Sequence, residues 1–193
     1  MVEAEHRSLF WWITAAKRRK ANAFREEPSQ AAFRELVSPY HFYGTQGMDN
    51  LDRWLSDEIF TKHTPTDLNE LIGIAIDEDT PQPLTEVPGF DWPKATEVLR
   101  AVAPDQYAIL NPRALAGLGA LGVSTEQFGS LSTAGYKRYR RKVEMASHEH
   151  GFIELLQPLE GNEIPTWATT YEVADCVFQY HFNRKIDLSD RAD

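Results

Sequence analysis

Apolar residues recur along most of this chain at three- and four-residue spacing, the period of a helix with one buried stripe, and no stretch reads convincingly as a strand. From about Glu5 to Glu26 the pattern predicts a helix with Leu9, Trp12, Ile13, Ala16, Ala23 and Phe24 inward and the basic run Lys17 to Lys20 across the other face, ended by Pro28. Ser29 caps a second helix carrying Phe33, Leu36 and Val37, which Ser38-Pro39 stops. Tyr40 to Gly47 reads as an aromatic, glycine-bearing loop. Asp49 or Asn50 then caps a stripe of Leu51, Trp54, Leu55 and Ile59. Thr66 or Asp67 opens a helix with Leu68, Leu71, Ile72, Ala75 and Ile76 inward.

The punctuation becomes denser from Thr80 to Gly122. Thr80 caps a short helix that tolerates Pro81 in its first turn and runs to Val87, where Pro88-Gly89 breaks it. Gly89 supplies the positive φ such a turn needs. Asp91 caps the next helix, with Pro93 in its first turn, Ala95, Val98, Leu99 and Val102 on one face, and Pro104 beyond its end. Asn111-Pro112 repeats the cap-then-proline signal for a third helix, closing at Gly117 or Gly119. Two short helices joined by a tight turn and followed by a third is what the spacing predicts.

Further on, Ser124 with Gln127 forms a capping box for a short helix. A long helix follows from about Ser132 to His150, with Tyr136, Tyr139, Val143 and Ala146 inward and Lys137, Arg138, Arg141 and Lys142 toward solvent. Gly151 to Glu163 is less regular. Thr169 with Glu172 forms a second capping box, opening a final helix with Val173, Ala174, Val177, Phe178 and His181 toward the core.

The residues Val87-Pro88-Gly89-Phe90-Asp91-Trp92-Pro93-Lys94-Ala95, with Val98-Leu99 behind them, resemble the helix-hairpin-helix of the endonuclease III-like DNA glycosylase superfamily, usually L-P-G-V-G-x-K-T-A-x-x-V-L. Tyr107 to Leu115, ending in Leu118 to Gly122, is similar to the segment where that family places its catalytic aspartate at the start of a helix. The resemblance covers about a fifth of the chain and implies an all-α, DNA glycosylase-like domain with the helix-hairpin-helix and following helix at 80–122. In that pattern the catalytic aspartate falls on Asn111 and the lyase lysine on Pro93. An amide cannot take a proton from water or balance a sugar cation, and proline cannot form a Schiff base. The hairpin's second glycine is Asp91, whose carboxylate competes with a phosphate for the same helix N-terminus.

At 193 residues, with 42% hydrophobic, the chain is expected to form one domain over 1–193. No apolar run approaches the roughly 20 residues of a membrane span; a membrane partner is not expected. The single cysteine, Cys176, sits in an apolar helical pattern, and a reducing cytoplasm fits it. A net charge of −9 opposes non-specific binding of nucleic acid and leaves it to local patches. The run Tyr136 to Lys142 interleaves cations with aromatics, as nucleic-acid surfaces do; its bland counterpart is a solvated face above a tyrosine stripe.

His148-Glu149-His150 cannot aim at one ion, because neighbours one and two apart on a helix do not share a face. His181 reads as a hydrogen-bonded core histidine. No metal, cofactor, Walker-type loop or Rossmann fingerprint is expected.

The expectation is therefore an all-α protein that binds DNA without catalysis. Its nucleic-acid contacts are Gly89, Lys94, Arg113, Lys137, Arg138, Arg141 and Lys142, with no catalytic residue at Asn111. Two alternatives belong to other classes: a glycosylase working through Asp91 or Asp105, and a structural module whose partner is another protein. Duplex DNA and an unidentified protein are thus the candidate partners.

Overall fold

Most helices here begin where a side-chain oxygen takes up a backbone N–H that the first turn leaves unpaired. In the computed structural model, which describes residues 2–38, 48–125, 128, 132–160 and 164–189, the helices are α1 (Val2–Glu26), α2 (Gln30–Leu36), α3 (Met48–Trp54), α4 (Pro65–Asp77), α5 (Gln82–Thr85), α6 (Trp92–Val102), α7 (Pro112–Ala120), α8 (Thr133–Glu149), α9 (Phe152–Glu160) and α10 (Thr170–Phe182). A π-helical turn, Leu55–Ile59, continues α3. The protein is all-α, with no strand among the described residues. No helix among them is long and apolar enough to cross a membrane.

Ser29, Asp91, Asn111 and Ser132 accept from the backbone N–H three residues on, at 3.1, 3.0, 2.9 and 3.2 Å. Thr64–Asp67 and Thr169–Glu172 are reciprocal capping boxes. Pro65, Pro93 and Pro112 occupy first turns, where a missing N–H costs nothing.

Packing divides the chain into two units, Ala15–Gln106 and Met1–Thr14 with Tyr107–Asp193. The unit Ala15–Gln106 gathers around Phe33 of α2. Its ring meets Phe24 of α1 at 5.2 Å, Phe60 at 6.1 Å and Phe90 of the α5–α6 turn at 6.4 Å between centroids. Leu68, Ile72 and Ala75 of α4 and Ala95, Val98 and Leu99 of α6 complete the buried layer. Polar ties run between its helices: Lys17 of α1 pairs with Glu97 of α6, and Arg25 Nη1 donates to the Asn69 backbone and side-chain oxygens of α4 at 2.5 Å. Arg34 of α2 clasps Asp52 of α3 through Nε at 2.5 Å and Nη2 at 3.2 Å, which holds that carboxyl below its ordinary range. The Arg34–Asp52 pair is exposed and adds little stability.

In the other unit α10 is buried on nearly every side and α7, α8 and α9 pack against it. Phe178 of α10 meets Phe152 edge-on at 5.5 Å. It also lies where a Cβ on Gly117 would be, so α7 approaches α10 as closely as it does because residue 117 has no side chain. Cys176 is fully buried, as its apolar setting predicts. Leu188 N donates to His181 Nδ1 at 3.3 Å, tying down the chain beyond α10.

Several boundaries and one register depart from the sequence expectation. In α1 the buried residues are Phe10, Trp11, Thr14, Lys17, Ala21 and Phe24, whereas Trp12 is 65% exposed and Ala23 faces solvent. The run Leu9 to Ile13 is apolar on every side and cannot fix the helix rotation; Lys17, counted as polar and therefore outward, is drawn in by Glu97. The helix also starts at Val2, ahead of Glu5. α3 begins at Met48, so Asp49 and Asn50 lie inside it. α4 is capped by Thr64, with Asp67 as the reciprocal partner. α5 stops at Thr85, and α7 runs past both Gly117 and Gly119 to Ala120, with the positive φ falling on Gly122. Val102 and His181 are half-buried. The stretch after Gly151, expected to be irregular, contains α9: Phe152 and Leu156 bury one face, and Pro158 is accommodated near its end. The Leu9 side chain, the Tyr40 to Gly47 loop and Gln127 of the Ser124 capping box lie outside the described residues.

The two glycines of α7 give opposite outcomes on replacement. Gly117→Ala drives a methyl into Phe178 and is expected to lower stability by about 1–3 kcal/mol. Gly119, with nothing within 4 Å of a built Cβ, gains about 0.5 kcal/mol as alanine. Chemical denaturation of the two variants beside wild type checks both signs.

Candidate nucleic-acid interface

The α5–α6 turn closes by Phe90 N–H donating to the Val87 carbonyl at 2.9 Å, with Gly89 at φ +80°. A Cβ on Gly89 would overlap the Trp54 indole, whose ring also lies 5.8 Å from that of Phe90. Gly89 is thus required twice, for its backbone angle and for the close approach of Trp54. At the start of α6, Asp91 Oδ1 accepts from Lys94 N–H, and Lys94 Nζ lies 3.1 Å from Asp91 Oδ2. An anion arriving at this N-terminus meets a seated carboxylate whose nearest cation is already engaged.

Asn111 and Arg113 belong to the other unit. Tyr107 to Leu110 lead to α7 as a buried, non-helical segment. Its backbone cannot reach water, so its carbonyls need internal donors. The Tyr136 hydroxyl donates to the Ala108 carbonyl at 2.9 Å and the Tyr139 hydroxyl to the Ile109 carbonyl at 2.5 Å. Tyr107 stacks on Tyr136 at 6.1 Å. Asn111 then caps α7 through Oδ1, the function an aspartate would serve equally well in that place. Arg113, in the first turn of α7, is exposed and reaches Gln179 of α10 at 3.5 Å.

The same tyrosines set the rotation of α8. With Tyr136, Tyr139, Val143 and Ala146 buried, Lys137, Arg138 and Arg141 are exposed and Lys142 is half-exposed at the edge. Among the described residues Arg138, Arg141 and Lys142 form no ion pair. Glu144, a turn further on, is engaged by the Tyr171 hydroxyl.

The run at Lys17 to Lys20 has a different fate. Lys17 is buried on Glu97, and Lys20 lies 3.0 Å from Glu35, leaving Arg19 exposed. Among the described residues no group of histidine, cysteine or carboxylate side chains could hold a metal ion. A cleft of about 170 Å³ between the end of α8 and the starts of α9 and α10, lined by residues including His148 and Glu154, was not expected from sequence; its lining comes from three separate helices and leaves no local signal. The contact of Trp54 with Gly89 was missed as well, since its position on the stripe with Leu51 and Leu55 marked Trp54 only as core.

Of the expected contact residues, the structure brings Arg113, Lys137, Arg138, Arg141 and Lys142 into one unit and places Gly89 and Lys94 in the other. Comparison of the chain with protein-family models, with curated proteins and with solved structures finds no match.

Burial pushes the pKa of Tyr136 and of Tyr139 well above the ordinary tyrosine range, because a phenolate would be desolvated there. The folded state keeps these protons while the unfolded chain releases them above about pH 10, so their contribution is complete below that pH and is lost as pH rises beyond it. Each hydroxyl then steepens the loss by about 1.4 kcal/mol per pH unit. Denaturant midpoints measured from pH 8 to 11.5 should fall in this window, and the fall should flatten in Tyr139→Phe.

Proposed function

We propose that the chain is a non-catalytic DNA-binding protein of DNA glycosylase-like fold that meets duplex phosphates through the outward face of α8. The observation that supports this most directly is the set of cations at 138, 141 and 142, which form no ion pair among the described residues and are held at the surface by the tyrosines beneath them, while Lys17, Lys20 and Lys94 are drawn into pairs with carboxylates. In a chain of net charge −9, cations left outward in this way are the groups that have phosphate within their chemistry.

The absence of catalysis follows from Asn111, a neutral amide committed to the cap of α7 where the resembled family uses a carboxylate. Asp91, a carboxylate close by in sequence, is spent on the cap of α6 and on Lys94. A second reading, docking of another protein, draws on Trp12, Ile153 and Phe182, which leave large apolar surfaces exposed.

Titrating a labelled duplex at several salt concentrations tests the proposal. Arg138→Ala and Arg141→Ala are each expected to lower the log–log salt slope by about one unit; unchanged binding and slope would clear α8 of this role and favour the protein partner. Asn111→Asp is expected to fold with unaltered stability, the two residues being near-equal caps. Abasic-site formation on duplexes with damaged or mismatched bases should be absent for wild type, and robust turnover would overturn the non-catalytic assignment.

A further inference from the structure

Resting on that DNA-binding role, we infer that α8 recognises duplex DNA by charge alone, without base stacking and without sequence or lesion preference, and that it prefers the duplex to a single strand. Single-strand surfaces combine a cationic track with exposed aromatic rings on which bases stack. In α8 the aromatics alternate with the cations in sequence but not in space. Tyr136 and Tyr139 are at most 1% exposed, and both hydroxyls are held by backbone carbonyls, at 108 and 109. Neither ring can turn outward without unpairing those buried carbonyls, each worth about 1–3 kcal/mol when left unsatisfied. What remains outward on this stretch is lysine and arginine.

Charge density selects between the two forms of DNA. From Lys137 to Lys142 the helix advances about 7.5 Å. Along that length a duplex presents about four phosphate charges and a single strand about two. This span carries five cations, of which Lys137, Arg138 and Arg141 are exposed and Arg140 and Lys142 half-buried, a density nearer the duplex than the single strand. With up to four contacts the salt slope is about −3 to −4, so affinity should fall on the order of a hundredfold between 50 and 200 mM salt.

The test is an anisotropy titration of the full chain against three oligonucleotides of equal length: a duplex, a second duplex of scrambled sequence, and one of the single strands. Wild type, Arg138→Ala and Arg141→Ala are run at several salt concentrations. The expected result is equal affinity for the two duplexes, at least tenfold weaker binding of the single strand, and a reduced slope in both variants. If duplex binding depends on Arg138 and Arg141 but the single strand binds as tightly, or the scrambled duplex differs by tenfold or more, recognition by charge alone is overturned and the DNA-binding role stands. If no oligonucleotide binds, or both variants bind as wild type does, that role fails and this inference with it.

Discussion

Two hydroxyl-to-carbonyl hydrogen bonds organise the unit that carries the basic helix. Tyr107 to Leu110 run through the core without helical partners for their carbonyls, and a buried carbonyl left unpaired is costly. Tyr136 and Tyr139, three residues apart on α8, are spaced to serve two consecutive residues of that segment. This pairing fixes two things at once. It sets the start of α7, where Asn111 takes up its cap, and it fixes the rotation of α8, so that Lys137, Arg138 and Arg141 face solvent while Val143 and Ala146 stay on the buried side. The basic surface is thus a by-product of satisfying buried backbone.

Between Thr80 and Gly122 much of the architecture was legible because the signals act within a few residues. Asp91 and Asn111 each bond an N–H three positions away, and Pro93 and Pro112 fit the first turns those caps open. The long helix α8 was equally legible, its two capping and packing signals agreeing over seventeen residues. What escaped depended on partners remote in sequence. The rotation of α1 turned on Glu97, eighty residues from Lys17, and the close approach of α7 to α10 turned on Phe178 filling the place of a side chain at Gly117. α9 escaped because Pro158 argues against a helix more loudly than Phe152 and Leu156 argue for one.

The candidate site divides along the same line. The outward cations of α8 could be read from their spacing with Tyr136 and Tyr139, whereas the commitments of the other cations could be only partly foreseen. Lys94 lies three residues from Asp91 on one helix, a separation at which a pair forms locally. Lys20 meets Glu35 from a neighbouring helix, a contact set by how α1 and α2 fold back on one another. Formal charge runs therefore overstate the basic surface wherever acidic partners are close.

The π-helical turn after α3 has a consequence of its own. At Leu55–Ile59 the Phe60 N–H bonds the Leu55 carbonyl five residues back, at 2.8 Å, so the turn holds one residue more than an α-helix would. That extra residue lets Trp54 reach Gly89 on one side of the turn while Phe60 reaches Phe33 on the other. Losing a single residue here would restore a regular helix and swing every side chain beyond it by roughly a quarter turn. The length of this segment is thereby constrained even at positions where its amino acids are free to vary, and an insertion or deletion would be tolerated far less readily there than a substitution.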